Sequence, residues 1–230
     1  MKKFLGIAGG LMIALALIAP ASAQKNPIDD CFRPKDNATI VRGCSVVIEY
    51  QLMKFLHPDA YMRRGAAYAD QKKYTESIAD STEAIRLDPG GRVAHVAWYN
   101  LAIVHQRLGE FVQARMDINE AIRLNPMYAR AYNERAWLFV LMGGNPIEAL
   151  EDADKAIELD PEMAEAYDMR AHIFEATPVD PNMTEDYLEH RLRMVKRVRI
   201  RAIADYRKAL ELKTDLQESK DGLKRLKNWR

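Results

Sequence analysis

The sequence predicts an all-helical protein built from stacked pairs of antiparallel helices. Nearly the same phrase occurs three times, as AIRLDP at 84–89, AIRLNP at 121–126 and AIELDP at 156–161. The prolines of these phrases recur after 37 and then 35 residues, close to the 34-residue period of one family of helical repeats. Because a proline just past a helix cannot continue it, each phrase marks the end of one unit and the turn into the next.

The composition is that of a folded globular protein and indicates no nucleic-acid partner. Hydrophobic residues make up 48% of the 230 residues, which is more than a disordered chain contains. Charged residues make up 29%, yet the formal net charge is only +1. Acids and bases therefore nearly cancel, and no overall field favours nucleic acid or an acidic substrate.

The first 23 residues have the order of a secretory signal peptide. Lys2 and Lys3 precede an apolar stretch from Phe4 to Ala19, and small residues follow up to Ala23. This order predicts cleavage after Ala23 and export of the remaining chain, to the periplasm. The alternative is an uncleaved membrane anchor, for which the apolar stretch is short.

Export gives a meaning to the two cysteines, Cys31 and Cys44. In an oxidising compartment we expect them to form a disulfide that closes a short loop. The alternative is a pair of unrelated buried thiols, since cysteine is among the most buried residue types. A metal site is the weakest reading, because His57 is the nearest histidine and a fourth ligand is missing.

Each copy of the repeated phrase belongs to a longer pattern of aromatic and small residues. The small residues allow two helices to approach closely, and the aromatic residues fill the remaining gaps. The copies run Tyr61, Gly65, Tyr68, Ala84, Pro89; then Trp98, Ala102, Phe111, Ala121, Pro126; then Tyr132, Ala136, Phe139, Ala156, Pro161.

This pattern resembles the tetratricopeptide repeat, over residues 58–163. The resemblance implies a right-handed superhelical array of helix pairs, with repeats at 58–91, 95–128 and 129–163, a fourth at 164–214 and a capping helix at 215–230. Residues 24–57 are similar to the cysteine-bearing half repeat that opens small secreted bacterial proteins of this family. They are therefore expected to form an N-terminal strap and a degenerate half repeat that contains the disulfide.

The array implied by the resemblance has a concave groove, lined by the first helix of each repeat, that can hold a peptide or a partner's helix. The side chains expected to face the groove and bind are Arg63, Tyr99, Asn100, Ile103, Arg107, Arg130, Asn133, Trp137, Asp168 and His172, with Met62, Ala66, Glu134, Leu141 and Met169 beside them. Tyr99 and Trp137 are candidate anchors. The alternative for Trp137 is a core residue that packs against the neighbouring repeat.

Some members of the family bind a partner's C-terminal carboxylate through a clamp of lysine, asparagine and arginine. Asn100 and Arg130 occupy suitable positions for such a clamp, but Glu134 places a negative charge where a positive one is needed. The sequence therefore does not predict carboxylate-clamp binding.

The fourth repeat is interrupted by an insertion at 177–201. Twenty-five residues separate Ala176 from Ala202, where the third repeat has seven between the matching positions. The insertion is rich in basic residues, among them Arg193, Lys196 and Arg197. They are candidates for contact with an anionic membrane surface or an acidic partner, and the alternative is a solvated helix face.

No catalytic group, cofactor motif or metal-ligand spacing stands out. The five histidines fall on different repeats, and the glycine pairs at 90 and 143 fit turns between helices rather than a phosphate loop. The sequence thus predicts a non-enzymatic scaffold of the bacterial cell envelope that binds a protein or peptide and needs no cofactor. The alternative is an envelope-surface module that uses the basic insertion.

Overall fold

The described part of the chain is helical throughout. The computed structural model describes residues 26–144, 146–176 and 188–228, with the backbone alone for 176, 188–198, 227 and 228. Its helices are α1 (Pro27–Phe32), α2 (Asn37–Glu49), α3 (His57–Asp70), α4 (Tyr74–Leu87), α5 (Ala94–Arg107), α6 (Phe111–Leu124), α7 (Ala129–Leu141), α8 (Pro146–Leu159), α9 (Ala164–Ala176), α10 (Leu188–Leu212) and α11 (Gln217–Asn228), with a 3₁₀ segment at Gln51–Leu56. The predicted all-α fold class is confirmed.

Consecutive helices pack in pairs, which we number as units. Unit 1 is α3 with α4, unit 2 is α5 with α6, unit 3 is α7 with α8, and unit 4 is α9 with α10. The second helix of each unit also packs against the first helix of the next, and α10 packs against α11. Since each unit contacts mainly its neighbours, the chain is a solenoid.

Small residues at the helix crossings allow the close approach that the sequence predicts. Ala102 and Ala136 are fully buried where the first and second helices of units 2 and 3 meet. At the matching position of unit 1, a Cβ atom on Gly65 would lie 2.9 Å from Ser81 Oγ and 3.3 Å from Asp80 Cβ. Even an alanine would therefore crowd the crossing of α3 and α4.

The turns inside units 1 to 3 share one backbone conformation. The residue two positions past the end of the first helix has a positive φ, namely 61° at Lys72, 80° at Gly109 and 64° at Gly143. A left-handed residue ends a helix and lets following amides bond back to its last carbonyls. Glycine adopts this conformation without strain, so only the turn of unit 1 places a side chain there.

The N-terminal helices are joined covalently. Cys31 of α1 and Cys44 of α2 form a disulfide with an S–S distance of 2.08 Å, and neither residue is exposed. Val47 of α2 and Ala60 of α3 complete the buried cluster around the bond. The disulfide therefore ties α1 and α2 together beside the first helix of unit 1.

A half-buried arginine links three helices in each of units 1, 3 and 4; we call this contact the arginine clasp. The arginine lies on the first helix, binds an aspartate of the second helix through two nitrogens, and donates a third bond to the second helix of the preceding pair. The three clasps are Arg64 with Asp80 (2.7 and 2.9 Å) and Ser45 (2.8 Å), Arg135 with Asp152 (2.7 and 2.7 Å) and Asn119 (2.8 Å), and Arg170 with Asp205 (2.9 and 2.9 Å) and Asp154 (2.7 Å).

Unit 2 replaces the arginine clasp with a different pair. Leu101 stands at the position of the arginine and is buried. The aspartate remains as Asp117, which is 1% exposed and lies 2.5 Å from Nδ1 of His105. Gln113 donates a second bond of 2.9 Å to this carboxyl. Burial raises the pKa of Asp117 above its usual value, and the bonds from His105 and Gln113 oppose that rise.

The helix α10 is longer than the other second helices. It runs unbroken from Leu188 to Leu212, through the end of the predicted insertion and into the predicted second helix of the fourth repeat. The side chains of Arg193, Lys196 and Arg197 lie outside the described residues, as do the segment 177–187 and the signal peptide predicted at 1–23. Within the described ranges no helix is long and apolar enough to span a bilayer.

Candidate functional site: the concave groove

The first helices of the units line the concave side of the solenoid. Backbones of neighbouring first helices touch at α3 with α5 and at α7 with α9, whereas consecutive second helices stay farther apart. Such unequal spacing curves the stack towards the first helices. The helices α5 and α7 approach each other less closely than these two pairs do. Among neighbouring first helices, the backbones of α5 and α7 are therefore the farthest apart, and we call the space between them the opening.

From α5, the groove receives Tyr99, Ile103 and Arg107. Tyr99 is half-buried and meets the ring of Tyr128 edge-on, with 5.3 Å between ring centroids. Ile103 is also half-buried, and Arg107 is exposed, with Nη1 donating a bond of 2.9 Å to the Ala69 carbonyl near the end of α3. This carbonyl, near the C-terminus of α3, also accepts a bond of 3.0 Å from the backbone N–H of Lys72.

Asn100 lies between units rather than open to the groove. It is 8% exposed, and its side-chain amide donates a bond of 3.2 Å to the Met62 carbonyl of α3. Met62 itself belongs to the buried cluster of units 1 and 2. Both residues therefore hold neighbouring first helices together, and we leave them out of the binding surface.

From α7, the groove receives Arg130, Asn133, Glu134 and Trp137. Arg130 is exposed and forms no ion pair within the described residues. Asn133 is half-buried, and its Oδ1 is shielded and receives no hydrogen bond. Trp137 is partly buried and packs against the cluster that Ala136, Ala153 and Met169 form with others. Of the two interpretations of Trp137, the structure thus favours packing against the neighbouring unit.

Glu134 has the most perturbed carboxyl group in the groove. It is half-buried, and Oε1 accepts a hydrogen bond from the side-chain amide of Gln106 on α5. Burial raises its pKa from the usual 4.5 to about 7, while the bond from Gln106 and the charge of Arg107 act in the opposite direction. Glu134 is thus not a fixed negative charge at neutral pH, as the sequence comparison with the carboxylate clamp assumes.

At the N-terminal end of the groove, Arg63 of α3 is covered by α1. Its guanidinium carbon lies 5.2 Å from the centroid of the Phe32 ring, a distance at which a cation and a ring attract. Its Nε is buried without a hydrogen-bond partner. Arg63 therefore contacts the N-terminal segment and lies apart from Arg107 and Arg130.

At the C-terminal end, Asp168 and His172 of α9 are engaged by the following helices. Ser219 of α11 donates a hydrogen bond to Oδ1 of Asp168, and His172 Nε2 lies 3.5 Å from Oδ2 of the same carboxyl. The Tyr206 hydroxyl lies 3.1 Å from His172 Nδ1 and donates a bond of 2.7 Å to Glu175. These side chains form a network that fastens α11 and leaves Asp168 and His172 little freedom to bind a partner.

The structure thus brings together only part of the predicted binding set. Tyr99, Ile103 and Arg107 of α5 and Arg130 and Glu134 of α7 border the opening, and we call this set of residues the central groove. Within the described ranges, no group of three or more His, Cys, Asp or Glu side chains is placed to hold a metal ion.

Comparison with known proteins agrees with this architecture. Residues 58–90 and 99–164 match the tetratricopeptide repeat family. The photosystem I assembly protein Ycf3 of Cyanophora paradoxa is 29% identical over 89 residues, which are 39% of this chain and 51% of that protein. This chain therefore spans about half the length of that relative.

Solved structures of the same architecture are also similar. The structure of MamA aligns with a TM-score of 0.57 and 21% identity, over 83% of this chain and 96% of that one. YrrB, described as a TPR protein with an unusual peptide-binding site, aligns with a TM-score of 0.53 and 19% identity, over 80% of this chain and 82% of that one. The chain is thus a tetratricopeptide-repeat protein, with the solenoid fold of a protein-interaction scaffold.

Proposed function

We propose that the protein is a non-enzymatic scaffold that binds an extended peptide or a helix of a partner protein in the central groove. The observation that carries the proposal is the opening between α5 and α7, where Arg107 and Arg130 are exposed and Ile103 is half-exposed. A surface with an apolar centre and charged groups around it suits a peptide, because apolar contacts give affinity and charges fix orientation. YrrB, with its described peptide-binding site, is a precedent for this use of the fold.

The test is a selection of peptides on the groove. Random decapeptides displayed on phage are selected against the wild-type protein, and the recovered peptides are measured by fluorescence anisotropy. Ile103→Ser should weaken their binding at least tenfold, because it removes an apolar contact at the centre of the surface. The matched control is Val112→Ser on α6, since Val112 is 61% exposed on a second helix. Equal loss with both variants, or loss with neither, would contradict groove binding.

We also propose that the mature protein is exported and acts in the bacterial envelope, in the periplasm. The order of basic, apolar and small residues at 1–23 supports export, and so does the bond between Cys31 and Cys44, since disulfides persist in oxidising compartments. The intact mass of protein recovered from cells tests the proposal. A chain that begins at Gln24 with no alkylatable thiol is expected, and a mass that includes residues 1–23 would contradict cleavage.

The alternative function, contact with an anionic surface through the basic insertion, stays a prediction. The side chains that would make this contact, Arg193, Lys196 and Arg197, lie outside the described residues. Replacing all three with glutamate should abolish sedimentation with anionic vesicles at low salt if the insertion docks there. Equal sedimentation of wild type and variant would leave a solvated helix.

A further inference from the structure

The carboxylates and arginines of the four first helices are not balanced. Each carboxylate on α3, α5, α7 and α9 accepts a hydrogen bond from another side chain. For Asp70 and Glu134 the only donor is a side-chain amide. The engaged pairs are Asp59 with Arg92 (2.5 Å), Asp70 with Asn37 (3.2 Å), Glu134 with Gln106, Glu165 with Lys213 (2.8 Å), Asp168 with Ser219, and Glu175 with Arg225 (2.8 Å). Only Asp59, Glu165 and Glu175 among them are paired with a lysine or arginine, and Glu134 is the one carboxylate of the six that lies in the central groove.

Three arginines on the same helices have no carboxylate within ion-pair distance. Arg64, Arg135 and Arg170 form the arginine clasps, but Arg63, Arg107 and Arg130 form no salt bridge among the described residues. Arg63 is covered by Phe32. Arg107 and Arg130 remain exposed, one on each side of the opening between α5 and α7. The central groove therefore carries a surplus of positive charge.

Arg107 and Arg130 both lie close to Tyr99 in the central groove. Both arginines act on the Tyr99 phenol, whose pKa is raised chiefly by burial, and Arg107 also acts on the Glu134 carboxyl. The charged or titratable groups that act on Glu134 are thus Arg107 and Tyr99 of α5, while Arg130, one turn earlier on α7, acts on Tyr99 and on Glu165 of α9. On α9, Asp168 and His172 are engaged with α11 and α10.

We propose that the central groove takes an acidic peptide segment, held by Arg107 and Arg130, and that the ionised form of Glu134 weakens this binding. The charges carry the argument. The exposed Arg107 and Arg130 attract the carboxylates of an acidic peptide, and an ionised Glu134 in the same groove repels those carboxylates. The inference rests on the proposed function, because it gives the chemical class of the peptide that the groove would bind.

The direction of the pH effect follows from the position of Glu134. Its raised pKa of about 7 means that it is largely neutral at pH 6 and largely ionised at pH 8. Aspartate and glutamate side chains of a peptide in solution remain ionised at both values. An acidic peptide should therefore bind several-fold more tightly at pH 6 than at pH 8.

The first part of the test uses the composition of selected peptides. Random decapeptides on phage are selected at pH 6 against the wild type, against the double variant Arg107→Gln, Arg130→Gln, and against the control Arg207→Gln, whose arginine is exposed on α10. Peptides from the wild type and the control should be enriched in aspartate and glutamate, and those from the double variant should not. Peptides that depend on Ile103 but show no acidic enrichment would overturn this inference and leave the proposed function standing. If no selected peptide depends on Ile103, both fail.

The second part measures one selected acidic peptide, labelled with fluorescein, at pH 6 and pH 8. Glu134→Gln should bind at pH 8 about as tightly as the wild type does at pH 6, with little dependence on pH. The double arginine variant should bind at least tenfold more weakly at both values. If Glu134→Gln keeps the full pH dependence, another group is responsible, and the role assigned to Glu134 is wrong.

Discussion

Unit 2 differs from units 1, 3 and 4 in how its two helices are held together. In the other three units a half-buried arginine spans its own second helix and the preceding one, so charge, shape and three hydrogen bonds act at one point. In unit 2 a leucine takes the arginine position, and the aspartate is left to a histidine and a glutamine. The fold therefore tolerates two solutions at one position of the repeat.

The fold accepts both pairings, but the buried aspartate is held differently in each. A guanidinium gives a buried carboxylate a permanently charged partner, whereas an imidazole gives it a partner whose charge depends on pH. The two pairings should therefore respond differently to mutation and to pH, and four experiments test this difference.

The largest effect should come from removing the arginine of a clasp. Arg135→Leu leaves Asp152, which is 6% exposed, without its cation, and such a buried unpaired charge costs about 3–5 kcal/mol of unfolding free energy. Urea denaturation followed by circular dichroism measures the loss. The control is Arg123→Leu, because Arg123 pairs with Glu120 on the surface, where an ion pair contributes at most about 1 kcal/mol. Similar losses for the two variants would show that the clasp is not special.

A smaller effect should separate the two kinds of aspartate. Asp152→Asn removes the charge that Arg135 binds and should cost about 2 kcal/mol at pH 7, the range of hydrogen bonds to charged groups. Asp117→Asn should change stability by less than about 0.5 kcal/mol, because an amide oxygen can still accept the bond from His105 and no charge is buried. The same denaturation experiment compares them. A cost for Asp117→Asn as large as that for Asp152→Asn would mean that His105 replaces the arginine fully.

Asp117 of unit 2 should also make the stability of the wild type depend on pH in a way that the Asp117→Asn variant does not. Burial raises the pKa of Asp117 in the folded state above its usual 3.8. An acid whose pKa is higher in the folded state stabilises the protein below the pKa of the unfolded state. That stabilisation is lost as pH rises through the pKa of the folded state. Stability of the wild type relative to Asp117→Asn should therefore fall as pH rises from about 4. A series of urea titrations in this range measures it, and a constant difference would contradict the assignment.

The smallest effect concerns the turns. Lys72 of unit 1 adopts the left-handed conformation that glycine supplies in units 2 and 3. Lys72→Gly should raise the unfolding free energy by about 0.5 kcal/mol, because relief of strain is partly offset by the greater freedom of glycine in the unfolded chain. Gly109→Lys should cost a similar amount. Thermal melting of the two variants gives the signs, and a loss with Lys72→Gly would show that the lysine side chain stabilises the turn.

The repeat pattern made the fold predictable from the sequence, and it contained the signal for the clasps as well. Arg64, Arg135 and Arg170 each follow the first aromatic residue of their repeat by three positions. Asp80, Asp152 and Asp205 each stand four positions before an alanine near the end of their helix, which is Ala84, Ala156 and Ala209 respectively. Residues that hold one repeat together must recur at the repeat's own period, which is why spacing alone can reveal them.

The binding surface was less predictable, because it depends on distances between helices that are far apart in sequence. Asn100 faces the groove on a helical projection, yet its amide bonds to the Met62 carbonyl of the preceding unit. Glu134 looks like a fixed charge in the sequence, yet its partner Gln106 and its burial depend on how closely α5 and α7 approach. The packing of Trp137 against unit 4 likewise depends on contacts between units.

The position of the disulfide has a consequence for how such a chain comes apart. In a linear stack the terminal helices have a neighbour on one side only, so fraying begins at the ends. At the N-terminal end, the bond between Cys31 and Cys44 joins α1 to α2. Neither helix can move away from the other while that bond is intact. At the other end, α11 is held by side-chain contacts such as the bond from Ser219 to Asp168. The disulfide therefore makes α1 and α2 one unit of unfolding, which should leave α3 together, whereas α11 can detach from α10 by itself.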